Sequence, residues 1–284
     1  MSLRSVYLPE ASIENEHIHI GGEENRHLLV SRTTPGELIE IFDGAGHVWT
    51  AEVESVGKRE TLARIRNSRI VQRDHVELIV ALALIRTGAF ELALEKSAEV
   101  GVARIVPFVA SRCNAVAGNR HDRWLRILVE AAKQSKHYYI PVLDAAISFE
   151  QVLSIPAASK IVFAERDGGR LESALAGSPV LYLIGPEGGW TDRELSLARD
   201  SGFHPVSLGA AILKAETAAV VGAALIRHAP PNLSLTRLTF IPRTKTRTRP
   251  TRAVARRSLF WGAALIVSGR ELSSITAAAT HRSH

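Results

Sequence analysis

The stretch Val180-Leu-Tyr-Leu-Ile-Gly-Pro-Glu-Gly-Gly-Trp-Thr-Asp-Arg-Glu194 is followed, after ten residues, by Pro205-Val-Ser-Leu-Gly-Ala-Ala-Ile-Leu-Lys-Ala-Glu-Thr-Ala-Ala219. Two strand–loop–helix units lie in succession here. Val180–Ile184 is apolar throughout, too short for a helix and suited to a strand buried on both faces. Gly185-Pro186-Glu187-Gly188-Gly189 then breaks regular structure, and its glycines let a ligand approach the backbone with no Cβ in the way. Thr191 and Glu194 have the spacing of a capping box, which starts a helix at Thr191; Gly202 is placed to end it. Pro205–Leu208 reads as a second strand, Gly209 as its turn, and the Ala-rich run from Ala215 to Arg227 as a helix on propensity alone. Both loops fall at the C-terminal edge of a parallel sheet, where open α/β sheets bind small molecules. Glu216 reads equally as a first-turn charge matched to the helix dipole or as a ligand contact. Neither Gly-x-Gly-x-x-Gly nor Gly-Lys-Ser/Thr occurs in these loops, which excludes a dinucleotide or P-loop cradle.

Outward from this stretch the chain divides in two. From Ser5 to Ile70 short strand-like segments alternate with turn signals. Trp49–Val53 and Thr61–Ile65 have the alternation of half-buried antiparallel strands, and Asp43-Gly44 marks a hairpin. A compact all-β unit is expected over 1–70, serving either RNA docking or dimerisation, with 71–75 as linker. From Val76 the period changes. Leu78–Ile85 is a continuous apolar run, a buried parallel strand, and helices and strands then alternate as in an α/β sheet. Helices are expected around Glu91–Gly101 and Trp124–His137, and a strand at Ile161–Glu165 before Asp167-Gly168-Gly169.

These residues resemble a known family. Leu183-Ile-Gly-Pro-Glu-Gly-Gly189, followed by Ser207-Leu-Gly-x-x-Ile-Leu-x-x-Glu-Thr-Ala218, is similar to the paired signature of the RsmE family. Those proteins are SPOUT-class methyltransferases that modify N3 of a uridine in small-subunit (16S) ribosomal RNA. Glu91–Gly101, Ile105-Val-Pro-Phe108, Ser111-Arg112 and Glu130-Ala-Ala-Lys-Gln-Ser135 resemble further family segments, and the likeness runs over roughly residues 4–228. It implies an α/β, trefoil-knotted methyltransferase domain with a parallel sheet over 76–228, preceded by a small PUA-like β-barrel domain, in a cytoplasmic homodimer. It implies S-adenosylmethionine as cofactor, held by Phe163, Ala164, Ile184, Gly185, Pro186, Glu187, Gly188, Leu208, Leu213, Glu216, Thr217 and Ala218, with the Asp167 loop as a third wall. Ribosomal RNA or the small subunit would be the partner, touched by Arg4, Arg32, Arg112 and Lys214. No catalytic residue is assigned; Glu91 and Glu216 are the acids considered for taking the N3 proton. The chain departs from the pattern at Ala211-Ile212-Leu213-Lys214, where the family has Arg-Ile-Leu-Arg, a loss of one guanidinium and an exchange of another. The family's usual His falls on Arg26, with His27 one place along. A SPOUT enzyme acting on another RNA, or a non-catalytic RNA-binding protein on a degenerate fold, remains open.

Composition bounds these readings. With 284 residues and 46% hydrophobic content the chain is long and apolar enough for a buried core. Its N-terminus is not a secretory start, and the apolar run Leu259–Val267 is too short to span a bilayer. A single cysteine, Cys113, precludes an internal disulfide and fits a reducing compartment. No His/Cys spacing points to a metal, and His17 and His19 read as surface residues of a strand. The net charge of +6 is uneven: residues 229–284 hold ten Lys and Arg against one acid, leaving 1–228 at −3. That tail, rich in Thr, Arg and Pro, reads as disordered, either a basic RNA-binding arm or an extension without a role. On the body, candidate basic patches are Arg64, Arg66, Arg69 and Arg73, and Lys133, Lys136 and His137.

Overall fold

A computed structural model describes residues 3–11, 13–113, 118, 120–165 and 168–229. Beyond Ala229 the basic tail lies outside the described residues, as does Asp167. The N-terminal domain comprises β1 (Arg4–Tyr7), β2 (Ile13–Glu14), β3 (His17–Gly21), α1 (Gly22–Val30), β4 (Leu38–Phe42), β5 (His47–Val56) and β6 (Glu60–Ile70). Its six strands run in the order β1-β4-β5-β6-β3-β2, with β1 parallel to β4 and the other pairs antiparallel. Val6 of β1 and Ile18 and Ile20 of β3, from near opposite ends of this order, share one core with Ile39, Ile41, Val53 and Ala63. The sheet therefore curls around a single interior, as expected of a PUA-like unit. The Asp43-Gly44 turn forms the β4–β5 hairpin, Asp43 Oδ1 accepting from the N–H groups of Ala45 and His47.

This domain is not all-β. Helix α1 inserts Leu28 into the core, while buried Asn25 donates to the carbonyl of Gly57 at 3.1 Å and accepts from the Thr61 hydroxyl at 2.6 Å. Its inward face is only Asn25 and Leu28, too sparse for a visible 3.6-residue period.

The C-terminal domain follows with β7 (Leu78–Ala83), α2 (Thr87–Glu99), β8 (Arg104–Val109), α3 (His121–Ser135), β9 (Val142–Leu143), β10 (Ile147–Ser148), α4 (Phe149–Leu153), β11 (Ser159–Phe163), α5 (Leu171–Ala174), β12 (Val180–Ile184), α6 (Asp192–Asp200), β13 (His204–Val206) and α7 (Ala215–His228). Every strand pair is parallel, in the order β10-β8-β7-β12-β11-β13, with β9 beside β8. All residues of central β7 and β12 are buried. Alternate residues face opposite layers: Leu78, Val80, Leu82 and Tyr182 pack with α2, α3 and α7, and Ile79, Ala81, Leu181 and Leu183 with α4, Ala198 and Phe203. Pro107 has no N–H to offer, and the outer partner of β8 is split there, β9 pairing at Ile105 and β10 resuming at Phe108. The expected strand at Pro205–Leu208 is His204–Val206 instead, because Ser207 leaves the sheet to close a turn with Gly209. The strand expected at Ile161–Glu165 is Ser159–Phe163, paired with β12 over Ser159–Val162 and with β13 over Ile161–Phe163. Helix α6 has the Thr191–Glu194 capping box and Gly202 at positive φ after its end.

Most cations of the candidate basic patches have partners within the protein. Lys133, 8% exposed, donates to Glu24 and Glu130, both at 2.9 Å. Lys136 donates to Glu40 at 2.9 Å and to Leu3 O and Ser5 Oγ. Arg69 reaches Glu40 at 3.2 Å and Tyr138 Oη at 3.0 Å. These cations join α3 and the segment after it to the N-terminal domain. Arg64 and Arg66 pair with Glu16 and Glu52, and Arg73 stacks over Tyr139. The linker is pinned as well, the Tyr139 hydroxyl donating to Val71 O at 2.7 Å. Among the described residues no helix is long and apolar enough to cross a membrane, and no His, Cys, Asp and Glu cluster is arranged for a metal.

Candidate functional site

Where β11, β12 and β13 end, their loops enclose a cavity of about 720 Å³, within the range of small-molecule sites. The β12 loop owes its shape to its glycines. A Cβ on Gly185 would lie 2.8 Å from the Trp190 indole, and one on Gly188 3.0 Å from the Cβ of Arg112. Trp190 folds back over Gly185, stacks on Phe108 and donates Nε1 to the carbonyl of Phe163 at 2.8 Å. That bond ties the β12 loop to the end of β11. Arg112 donates Nη1 to the carbonyls of Gly188 at 3.0 Å and Trp190 at 3.3 Å. Buried Glu194 accepts from the N–H of Ser111 at 2.9 Å and from the N–H and hydroxyl of Thr191 at 2.8 Å. Burial pushes its carboxyl up, but these hydrogen bonds outweigh burial and hold it below the usual carboxylate range.

The cavity gathers most of the residues singled out from sequence. Phe163, Ala164, Ile184, Gly185, Pro186, Glu187, Gly188, Leu208, Leu213, Glu216 and Ala218 line it, as do Arg112 and Lys214. Thr217 does not; it is exposed on the outer side of α7. Arg4 and Arg32 belong to the N-terminal domain and are not among the lining residues. Arg4 donates to Ser31 and, at 2.7 Å, to Thr33, and Arg32 adopts a positive φ. Sequence reasoning missed Arg86, Glu165, Trp190, Asp192 and Ile212, all of which line the cavity. Trp190 was readable, since it follows the glycines directly; Arg86 was not, because it comes from the end of β7, about a hundred residues upstream.

Of the two acids considered for proton transfer, Glu91 is committed to Arg123, which donates Nε and Nη2 to its two oxygens at 2.6 and 2.8 Å and holds the carboxyl below its ordinary value. Glu216 lines the cavity. Burial pushes the Cys113 thiol up, away from nucleophilic reactivity. Tyr182 is fully buried, its phenol is likewise pushed up, and it donates to Ala219 O at 3.2 Å, fixing α7 on the central strand.

The chain matches the RNA methyltransferase domain family over residues 72–227 and the RNA methyltransferase PUA domain family over 20–66. It is 31% identical over 238 residues to the ribosomal RNA small subunit methyltransferase E of Synechocystis sp., covering 80% of this chain and 77% of that one. With the protein of the same name from Rickettsia conorii it shares 26% identity, covering 80% and 96%. The crystal structure of a ribosomal RNA small subunit methyltransferase E from Neisseria gonorrhoeae bound to S-adenosyl methionine superposes with a TM-score of 0.75 at 28% identity, covering 80% of this chain and 97% of that one. A parallel sheet with its loop-built cavity, a curled N-terminal β domain and these matches agree across both domains: the chain belongs to the RNA methyltransferase family that includes the ribosomal RNA small subunit methyltransferase E proteins.

Proposed function

We propose that this chain binds S-adenosylmethionine in the three-loop cavity and methylates N3 of a uridine in 16S ribosomal RNA. The observation that carries this reading is the cavity itself, at the C-terminal edge of the sheet in a member of this family. Its residues fit the cofactor. Among the described residues, the backbone N–H groups of Leu208, Ile212 and Leu213 have no hydrogen-bond acceptor, which leaves them for an adenine. Gly185 and Gly188 keep Cβ atoms out of the wall, and Phe163, Ile184 and Ala218 supply apolar surface. When bound, S-adenosylmethionine supplies a methyl group on a sulfonium, open to in-line displacement by a nitrogen. The protein's part is to hold that line, since alignment of reacting atoms supplies much of such a rate. Trp190, Arg112 and Glu194 do so by fixing the glycine loop from three sides. The uridine must leave its stack, because a paired base hides N3.

In this reading residues 1–70 dock the RNA, with Arg4 and Arg32 on the docking surface, and 76–228 carry out transfer, with Arg112 and Lys214 beside the substrate. The protein works as a cytoplasmic homodimer in this reading, as the family resemblance implies. The test is calorimetric titration of S-adenosylmethionine into wild type and Gly188→Val, followed by methyl transfer to small-subunit RNA lacking the modification, with the product nucleoside mapped by mass spectrometry. Wild type should bind and the variant should not, because a Val side chain has to displace Arg112 or enter the cavity. A folded wild type that binds no cofactor, with or without RNA, would sink the proposal. Transfer to a different RNA or atom would keep the enzyme and replace the target.

A further inference from the structure

Three cations line the cavity, and they are held differently. Arg112 spends Nη1 on two loop carbonyls. Lys214, at the start of α7, is a flexible point charge. Arg86 is neither. It follows the buried pair Leu84 and Ile85 at the end of β7, stands immediately before α2, and is 80% exposed. Its Nε donates to Glu187 Oε1 at 2.7 Å, in the middle of the glycine loop. Neither Nη atom has a hydrogen-bond partner among the described residues. The guanidinium is thus oriented by one carboxylate while its outer fork faces solvent at the cavity mouth. Neighbouring Arg123, by contrast, uses two of its nitrogens on Glu91.

We infer that Arg86 is a clamp for an RNA phosphate flanking the target nucleotide, an inference that rests on the methyl-transfer reading above. A planar fork of donors matches two phosphate oxygens at once. The position at the rim, rather than inside, fits the backbone of a nucleotide whose base has entered the cavity. The body of the protein carries a net charge of −3 over residues 1–228, so any attraction for RNA that the body itself supplies comes from local cations of this kind. Glu187 is the positioning residue: by holding Nε it removes rotamer freedom that a free Arg would lose on binding.

The test compares wild type, Arg86→Gln and Arg86→Lys in three measurements: cofactor titration, binding of a small-subunit rRNA fragment across a salt series, and methyl transfer. Arg86→Gln should bind RNA about tenfold more weakly, a clearly larger loss than any in its affinity for S-adenosylmethionine. Its plot of log K against log salt should be shallower by about 0.7–0.9, the loss of one phosphate contact. Arg86→Lys should recover the slope but not the whole affinity, since it restores charge without the fork. An unchanged slope in Arg86→Gln overturns the clamp, as does a loss of cofactor affinity matching the loss of RNA affinity. A lower kcat with a displaced pH profile at unchanged slope also overturns it, moving Arg86 to the developing imide anion. A wild type that binds RNA yet transfers no methyl group sinks the functional reading instead, and the slopes still decide the clamp.

Discussion

Replacing Gly222 with Ala should weaken the cofactor site while leaving the protein folded. Gly222 lies in the interior of α7, where glycine costs about 1 kcal/mol relative to alanine. On helix propensity alone the substitution would stabilise. The added Cβ, however, would sit 2.5 Å from Cε2 and 3.1 Å from Cζ of Phe163. Phe163 is buried at the end of β11, edge-on to Tyr182 at 5.9 Å. It also lines the cavity, which leaves the cavity as the direction in which its ring yields. Overpacking of this kind costs about 1–3 kcal/mol, so the net is a destabilisation of about 0–2 kcal/mol. For a domain this size that is a fall in Tm of about 0–8 °C, at about 2–4 °C per kcal/mol. The larger effect should be on binding, because the displaced ring occupies ligand space and its carbonyl anchors Trp190. Thermal unfolding and calorimetric titration of S-adenosylmethionine read the two separately. Gly88→Ala is the control: that Cβ meets nothing within 4 Å in α2, and it should be neutral or stabilise by a few tenths of a kcal/mol, on the order of a first-turn propensity gain. A Gly222→Ala protein with raised Tm and wild-type cofactor affinity would refute the packing argument.

Lys133→Ala should cost about 3–5 kcal/mol in chemical denaturation, since it strands the mostly buried carboxylate of Glu24 at the junction, whereas half-exposed Glu130 can turn to solvent; a loss under about 1 kcal/mol, the size expected of an exposed pair, would mean the contact is solvated. Glu194 should make the site acid-sensitive. Its folded pKa is depressed, so its contribution is full above the unfolded value of about 4.3 and is lost as pH falls through the lower folded value. Loop order, followed by Trp190 fluorescence, should decline over that acid range in wild type, and Glu194→Gln should start from a looser loop and lose this part of the pH response. An identical acid profile in the variant would remove Glu194 from the account.

What could be read in the sequence was what adjacent residues decide. Val180–Ile184, the Thr191–Glu194 box and Gly202 each declare a local conformation, and the structure has all three. The cavity wall was legible for the same reason: most of it comes from two short stretches of chain whose glycines and apolar residues serve the loops they sit in. Strand limits were less legible. Ser207 has as much right to a strand as Val206 until its hydroxyl finds Gly209, and the strand at Ser159–Phe163 is registered by neighbours twenty residues and more away.

Charge was the least legible property, and for a physical reason. A sequence shows the sign of a side chain and not its partner, and pairing across an interface reverses what that sign means. Lys133 and Lys136, which read as candidates for an RNA face, are used to fix one domain against the other through Glu24 and Glu40. Arg86, which attracted no notice, stands at the cavity mouth because β7 runs beside β12 and delivers it next to Glu187. Among the described residues the basic groups facing the cavity are Arg86, itself paired with Glu187 through Nε, together with Arg112 and Lys214. Any attraction for RNA at this mouth is therefore built from very few charges. It follows that Ala211 and Lys214, where the family resemblance implies arginines, should matter more here than they would on a broadly basic surface, because little else nearby can replace them.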